Sequence, residues 1–199
     1  VCVDHEYLDA VDGLRHQLPG VRHFVALSGA RDGWLDYASL VAAHAPDAVE
    51  RPVIDERDLL TINYTSGTTS RPKGVMITHR NDWVNVMGHL AHLPMSTADR
   101  YLWTLPMFHA NGWTYTWAVT AMGARHVCLR KVDPAAIYRL VREEGVTFMC
   151  AAPTVLIGLA NAPEEMRSGV PKGVRILTAG APPAASTVGP GCRVRELPE

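Results

Sequence analysis

Six small residues, Thr65-Ser66-Gly67-Thr68-Thr69-Ser70, followed by Arg71-Pro72-Lys73-Gly74, carry a pattern suited to meeting an anion. With almost no side-chain bulk, such a loop lets backbone N–H groups approach an oxyanion closely, and its hydroxyls add further donors. Lys73 supplies the compact positive charge that phosphate oxygens attract. The apolar, β-favouring run Leu59 to Tyr64 precedes the loop, and the β-branched run Val75 to Thr78 follows it. The order therefore reads as strand, hydroxyl-rich loop with one cation, and second strand. The same residue types also make ordinary surface hairpin loops. A P-loop is excluded: from Gly67 the lysine has the right offset, but Pro72 replaces the second glycine and Gly74 the Ser/Thr that would hold magnesium.

Other candidates lie after predicted strands. His109 sits in Pro106-Met107-Phe108-His109-Ala110-Asn111-Gly112-Trp113, behind a strand expected at Asp99–Leu105. A histidine there could equally be a hydrogen-bonder of the core. Gly180-Ala181-Pro182 follows a buried strand at Val174–Thr178, where a simple helix-entry turn would also explain the glycine. His89 and His92 share a helical face, a spacing compatible with zinc, but no third ligand is near in sequence and such pairs are commonly partly buried side chains. Trp103, Trp113, Tyr115 and Trp117 read as core more than as pocket.

The elements that position these residues follow from periodicity and punctuation. Val1–Val3 and Val21–Leu27 read as strands, Glu6–Gln17 and Tyr37–Ala43 as helices, and Ala45–Arg57 as an acidic, proline-containing linker. Helices are expected from His79 to about Leu93, where Pro94 stops the first, and over the stretch after Trp113 to Met122. Strands are expected at Ala124–Arg130 and Val146–Ala151. Asp133–Glu144 has the most complete helix signature: Asp133 as N-cap, Pro134 at the first position, an Ile137/Leu140/Val141 stripe and Gly145 as the stop. Pro153–Ala160 is a further helix. Strands alternating with such helices indicate an α/β fold with a mainly parallel sheet, whose ligands lie beyond the carboxyl ends of the strands. That rule places the central loop, His109 and Gly180 at one edge.

Composition bounds the rest. A chain of 199 residues with net charge −1 and scattered Lys and Arg offers no electrostatic argument for nucleic acid or an acidic membrane. Cys2, Cys128, Cys150 and Cys192 form no CxxC pair, and suggest reduced, mostly buried thiols in a cytoplasmic protein. There is no basic-then-apolar leader and no apolar run near 18 residues.

Tyr64 to Val75 resembles the phosphate-binding signature Tyr-Thr-Ser-Gly-Thr-Thr-Gly-x-Pro-Lys-Gly-Val of the adenylate-forming enzymes, departing from it at Ser70. The resemblance extends over about residues 1–185 and corresponds to the middle of that superfamily's large N-terminal domain. Leu105–Trp113 and Cys150-Ala151-Ala152-Pro153 are most similar to acid–CoA ligases acting on short and medium-chain carboxylates. The resemblance implies that Thr65, Ser66, Gly67, Thr68, Thr69, Ser70 and Lys73 hold the β- and γ-phosphates of ATP, that His109 lies beside the carboxylate and acyl pocket, and that Gly180, Ala181 and Pro182 pass the adenine and acyl chain. It implies two steps: a carboxylate attacks the ATP α-phosphate with Mg²⁺ assisting, and the thiol of coenzyme A then displaces AMP.

The resemblance also has edges. The motif Tyr-Gly-x-Thr-Glu, whose Glu helps hold Mg²⁺, has no counterpart, nor do the ribose-binding Asp, the small C-terminal domain with its catalytic Lys, or the family's first hundred or so residues. Residues 186–199 depart from the pattern, and Gly189-Pro190-Gly191 argues for an irregular tail of the kind a truncation or frame change leaves. Three readings follow: part of an acid–CoA ligase that is inactive alone, a non-catalytic nucleotide-binding module, or part of another adenylate-former such as a peptide-synthetase adenylation domain. An incomplete parallel sheet is expected to leave apolar surface uncovered and to favour self-association.

Overall fold

The computed structural model describes residues 1–45, 50, 52–65 and 71–178, together with the backbone of 194–196. Ser66, Gly67, Thr68, Thr69, Ser70, Gly180, Ala181, Pro182 and Cys192 lie outside the described residues. The chain forms two compact units, Val1–Val53 and Ile54–Glu199.

The first unit is a small parallel sheet of β1 (Cys2–Val3), β2 (Val25–Ala26) and β3 (Leu35–Asp36), with helices α1 (Leu8–Leu14) and α2 (Tyr37–Ala42). Its core is Val3, Leu8 and Ala26, with Val11 and Trp34 packed alongside. The helix expected over Glu6–Gln17 is helical along that span but divided, with 3-10 turns at His5–Tyr7 and Arg15–Gln17. The strand expected over Val21–Leu27 shrinks to two residues because its neighbours β1 and β3 are themselves two residues long and offer no longer ladder. Cys2 and Cys128 are exposed rather than buried; Cys150 is buried, and all three are free thiols.

In the second unit, β4 (Leu59–Thr65) and β5 (Lys73–Thr78) form an antiparallel hairpin, separate from the parallel sheet. Helix α3 (His79–His92) follows β5 directly, and its start is fixed by a reciprocal capping box between Thr78 and Asn81. The parallel sheet has the order β10-β9-β8-β6-β7, from β6 (Arg100–Trp103), β7 (Arg125–Cys128), β8 (Phe148–Cys150), β9 (Arg175–Thr178) and β10 (Val194–Glu196). β10 is a correction, since an irregular tail was expected there. The expectation that the central loop shares an edge with His109 in one parallel sheet is also corrected: the loop belongs to the hairpin. Local residue pattern specifies a strand but not its partner.

Both faces of the parallel sheet are covered, and the alternation of side chains shows how. Tyr101, Trp103, Phe148 and Cys150 point to one face, where Val86 of α3 and Tyr115, Ala118 and Val119 of α4 (Tyr115–Ala121) cover them. Leu102 and Met149 point to the other, against Ile137 and Val141 of α5 (Pro134–Glu143) and Leu159 of α6 (Pro153–Ala160). The α5 boundaries follow the sequence signals: Asp133 accepts from the Ala136 N–H, Pro134 opens the helix, and Gly145 has φ +62°. A short helix, α7 (Glu164–Arg167), completes this side. The connection leaving β6 crosses one face and the connection leaving β8 crosses the other, so the carboxyl ends of these neighbouring strands form a topological switch point.

The link between β6 and α4 is a left-handed turn. Ala110, Asn111, Gly112, Trp113 and Thr114 all have positive φ, from 42° to 68°. Asparagine and glycine accept this region; Ala, Trp and Thr do so at a cost of about 1–2 kcal/mol each. Gly112 leaves no alternative, because a Cβ there would stand 2.5 Å from Trp103 Cζ3. Asn111 ties the turn to the hairpin: its Nδ2 donates to Thr61 Oγ1 at 3.2 Å, and its Oδ1 accepts from Asn63 Nδ2.

Two outcomes follow from this turn. Gly112→Ala combines a disfavoured backbone with a clash against an indole, and is expected to cost roughly 2–4 kcal/mol. A urea midpoint within error of the parent, at unchanged slope, would refute the steric argument. Asn111→Ala removes the link, so amide exchange should accelerate in β4 and β5 while Phe148–Cys150 stays protected. Equal acceleration in both places would show that the link does not act locally.

Candidate functional site

The hairpin, α3 and the left-handed turn enclose an open cavity of about 750 Å³. Its hairpin wall comes from Asn63, Tyr64, Thr65, Val75 and Ile77, its α3 wall from Asn85 and His89, and its third wall from His109, Ala110, Trp113 and Thr114. The alternation of the hairpin explains the first wall. Thr61, Asn63 and Thr65 face one way, directly opposite Ile77, Val75 and Lys73 on the partner strand. Lys73 is thus the first residue of β5 rather than part of the loop, and it shares the cavity-facing side of the hairpin with Thr65. Seven residues, 66–72, span between this facing pair.

The structure therefore brings Thr65 of the hairpin and His109, which follows strand β6 of the parallel sheet, to one cavity, with Lys73 paired opposite Thr65. His109 stands at the start of the left-handed turn, exposed, and its carbonyl accepts from the Gly112 N–H at 2.9 Å. Of the aromatic residues expected in the core, Trp103 and Tyr115 are buried, whereas Trp113 lines the cavity.

Sequence reasoning missed the asparagines. Asn85 accepts from Thr114 Oγ1 at 2.7 Å and so fastens α3 to the end of the turn, as Asn111 fastens the hairpin to its middle. The Asn111-Gly112 pair was the available signal, since this dipeptide marks left-handed turns. Its partners, some fifty residues upstream, had no local signal.

His89 is half-buried. Its ring meets Tyr115 edge-to-face at 5.3 Å, and its Nδ1 is buried without a hydrogen-bond partner. Burial, and secondarily the neighbouring His92, holds its pKa below the ordinary histidine range, so it lines the cavity as a neutral imidazole at pH 7. The cavity thus presents neutral donors and acceptors, and Lys73 lies next to its rim, opposite the lining residue Thr65. Such a lining suits an anion and lacks a carboxylate to hold Mg²⁺. Among the described residues, the one grouping of three metal-capable side chains is Asp4, His5 and Glu6, in the first unit. The described residues therefore do not fit a magnesium site.

Comparison with known proteins gives the arrangement its context. A family model described as AMP-binding enzyme matches residues 2–190. The 4-hydroxybutyrate–CoA ligase 2 of Metallosphaera sedula is 46% identical over 154 residues, covering 77% of this chain and 28% of the relative. The 2-methylpropanoate–CoA ligase CCL4 of Humulus lupulus is 42% identical over 160 residues, again covering 79% of this chain and 28% of the relative. Among solved structures, the inhibitor-bound N-terminal domain of FACL13 from Mycobacterium tuberculosis superimposes with a TM-score of 0.77 at 27% identity, covering 94% of this chain and 46% of that one. The chain thus spans little more than a quarter of the length of these curated relatives. With the signature hairpin, the parallel sheet beside it and a family match from residue 2 to residue 190, the chain belongs to the AMP-binding enzyme family.

Proposed function

We propose that this chain is the phosphate-gripping and acid-facing part of an AMP-forming acid–CoA ligase. The observation that carries the reading is the facing pair Thr65 and Lys73 at the root of the 66–72 segment, on the same side of the hairpin as a cavity that reaches His109. In this reading the hydroxyls and N–H groups of Thr65, Ser66, Gly67, Thr68, Thr69 and Ser70 hold the β- and γ-phosphates of ATP, and the Lys73 ammonium neutralises charge as pyrophosphate leaves. Catalysis of phosphoryl-group chemistry is mainly positioning and charge stabilisation, which small donors plus one cation supply.

The carboxylate of the acid occupies the cavity near His109, where it attacks the α-phosphate to give the acyl-adenylate. The thiol of coenzyme A then takes the acyl group and releases AMP. Gly180, Ala181 and Pro182 would complete the adenine and acyl wall. Magnesium would be held by a carboxylate beyond these residues, and no step is assigned to it here. The acid is a small carboxylic acid, in keeping with relatives named for 4-hydroxybutyrate and 2-methylpropanoate. No helix among the described residues is long and apolar enough to cross a membrane, and a cytoplasmic location is part of the same proposal.

The 199 residues alone are proposed to bind ATP without completing the reaction, because the chain covers 28% of a full-length relative. The hairpin's outer face, with Ile62 and Met76 exposed, is the surface through which the isolated chain would self-associate.

Calorimetry on the 199-residue chain tests this reading. ATP binding is expected, with Lys73→Ala weakening it roughly tenfold, or about 1.4 kcal/mol. No detectable ATP binding by the parent would overturn the assignment of the hairpin. Acid-dependent exchange of pyrophosphate into ATP by the same chain would overturn the claim that it is inactive alone.

A further inference from the structure

A second cavity of about 430 Å³ opens on a neighbouring face of α3, lined by Glu56, His79, Asp82, Trp83, Val86 and Trp117. None of these six residues lines the large cavity. Asp82 is the unusual member. It is only 9% exposed, yet neither a hydrogen bond nor an ion pair from a described residue reaches its carboxylate. An aspartate this well covered is normally paired, because partial transfer from water is costly without a partner; here the carboxylate is left facing the cavity space.

The candidate partners nearby are otherwise engaged. Arg80, two positions earlier on α3, is bridged to Glu56 at 2.6 Å, which draws its guanidinium to the rim. His79 acts on Asp82 through charge alone. The walls around the carboxylate are apolar and aromatic: Val86 is buried, Trp117 is half-buried, and the Trp83 indole is 62% exposed at the mouth. A smaller cavity of about 140 Å³ also touches Asp82, but its walls include Asn81, Asn85, Asn111 and Thr114, a polar setting suited to water.

We propose that the Asp82 cavity is a binding site for a small organic ammonium ion. The ammonium group would donate hydrogen bonds to the Asp82 carboxylate, and its apolar part would lie between the Trp83 and Trp117 indoles. Aromatic faces attract cations, and a partly desolvated carboxylate is a strong partner for a charged donor. An inorganic divalent cation fits less well, because the walls supply two separated carboxylates and otherwise carbon. Glu56, already paired with Arg80, contributes negative field at the rim rather than a second ligand.

The pH dependence has a definite sign. Burial pushes the Asp82 carboxyl up to about 6, with the positive charge of His79 opposing the rise. The ammonium needs the ionised carboxylate, so affinity is full above about pH 7 and declines as pH falls through 6. The other charged groups near this face are Glu56 and Arg80, which compensate each other, and His79 beside the carboxylate.

The test uses phenethylammonium as the cationic probe, 2-phenylethanol as its neutral counterpart and 3-phenylpropionate as the anionic one, each titrated into the 199-residue chain with tryptophan fluorescence as the readout. Saturable quenching by phenethylammonium at pH 8 is expected, with affinity at least tenfold weaker at pH 5 and at least tenfold weaker for the alcohol. Asp82→Asn should lower phenethylammonium affinity tenfold or more without changing the circular dichroism spectrum. Trp83→Ala, at an exposed rim position that folding does not need, should lower it by a factor of roughly two to five. The proposal is overturned if phenethylammonium fails to saturate, if the alcohol or the anion binds as tightly, or if Asp82→Asn binds the cation like the parent. Should Asp82→Asn fail to fold, an unchanged affinity in Trp83→Ala together with flat pH dependence overturns it equally.

Discussion

The hydrogen bonds from Asn111 to Thr61 and Asn63 are the constraint on which the functional arrangement depends. A two-stranded hairpin has little independent stability in water, and β4–β5 has no third strand among the described residues. Its position relative to the parallel sheet must come from contacts on its inner face. Asn111 supplies them from a turn that is itself immobilised, since Gly112 packs directly on Trp103 and the turn carbonyl of Asn111 accepts from Thr116 Oγ1 at 3.0 Å. Trp103 in turn donates its indole N–H to His126 Nδ1 at 2.9 Å, while His126 Nε2 lies 3.1 Å from Thr120 Oγ1. The chain of support therefore runs from β7 through β6 and the turn to the hairpin. Left-handed backbone at Ala110, Trp113 and Thr114 is a local cost that this support offsets.

Beneath the turn, the core is less fully satisfied than its packing suggests. Tyr101 and Tyr115 stack at 5.1 Å, both buried, and neither hydroxyl makes a well-formed hydrogen bond. The Cys150 thiol is their nearest polar neighbour; burial pushes it up to about 12, with the two phenols opposing. It is an inert thiol, and both phenols are pushed above the ordinary tyrosine range by the same burial. Thr178 Oγ1 and His89 Nδ1 add further unpartnered atoms in the same region. Buried polar groups left in this state cost about 1–3 kcal/mol each, and they concentrate at the end of the sheet nearest the cavity. Other polar groups are paired: Asp99 joins Thr147 at 2.7 Å and Arg175 at 2.5 Å.

How much of this was legible from residues alone depends on the range of the interaction. Helices α5 and α6 were readable because Asp133, Pro134, Gly145 and Pro153 act within a turn of their own positions. The burial of β8 on both faces followed from its unbroken apolar run. The phosphate-loop candidate was readable as chemistry, yet Lys73 was placed in the loop when it begins β5, because lysine carries no strong signal for either. The separation of the hairpin from the parallel sheet was not readable, since strand pairing is decided by contacts between distant segments. The same reason hid Asn85 and Asp82: each looks like an unremarkable polar residue on a helix until the turn and α4 are packed against it. Gly180, Ala181 and Pro182 lie outside the described residues, so their expected place by the cavity stands as proposed.

Helix α3 separates two environments of opposite preference. On the side facing the hairpin, the lining carries His89 and His109 and no carboxylate, with His89 held neutral by burial, and Lys73 pairs opposite Thr65 at the rim. On the neighbouring face, the unpaired Asp82 leaves a negative centre in apolar surroundings. Had Asp82 faced the hairpin cavity, its charge would have repelled a triphosphate at close range; had Lys73 been buried near Asp82, the two would have neutralised each other and left the hairpin without its cation. The two environments lie side by side on one helix: Asn85 and His89 fall one turn apart, Asp82 and Val86 on the adjacent stripe, and the small cavity touches both Asp82 and Asn85. The capping box at Thr78 and Asn81 fixes the start of that helix directly after β5, and with it the positions of Asp82, Asn85 and His89 along the helix.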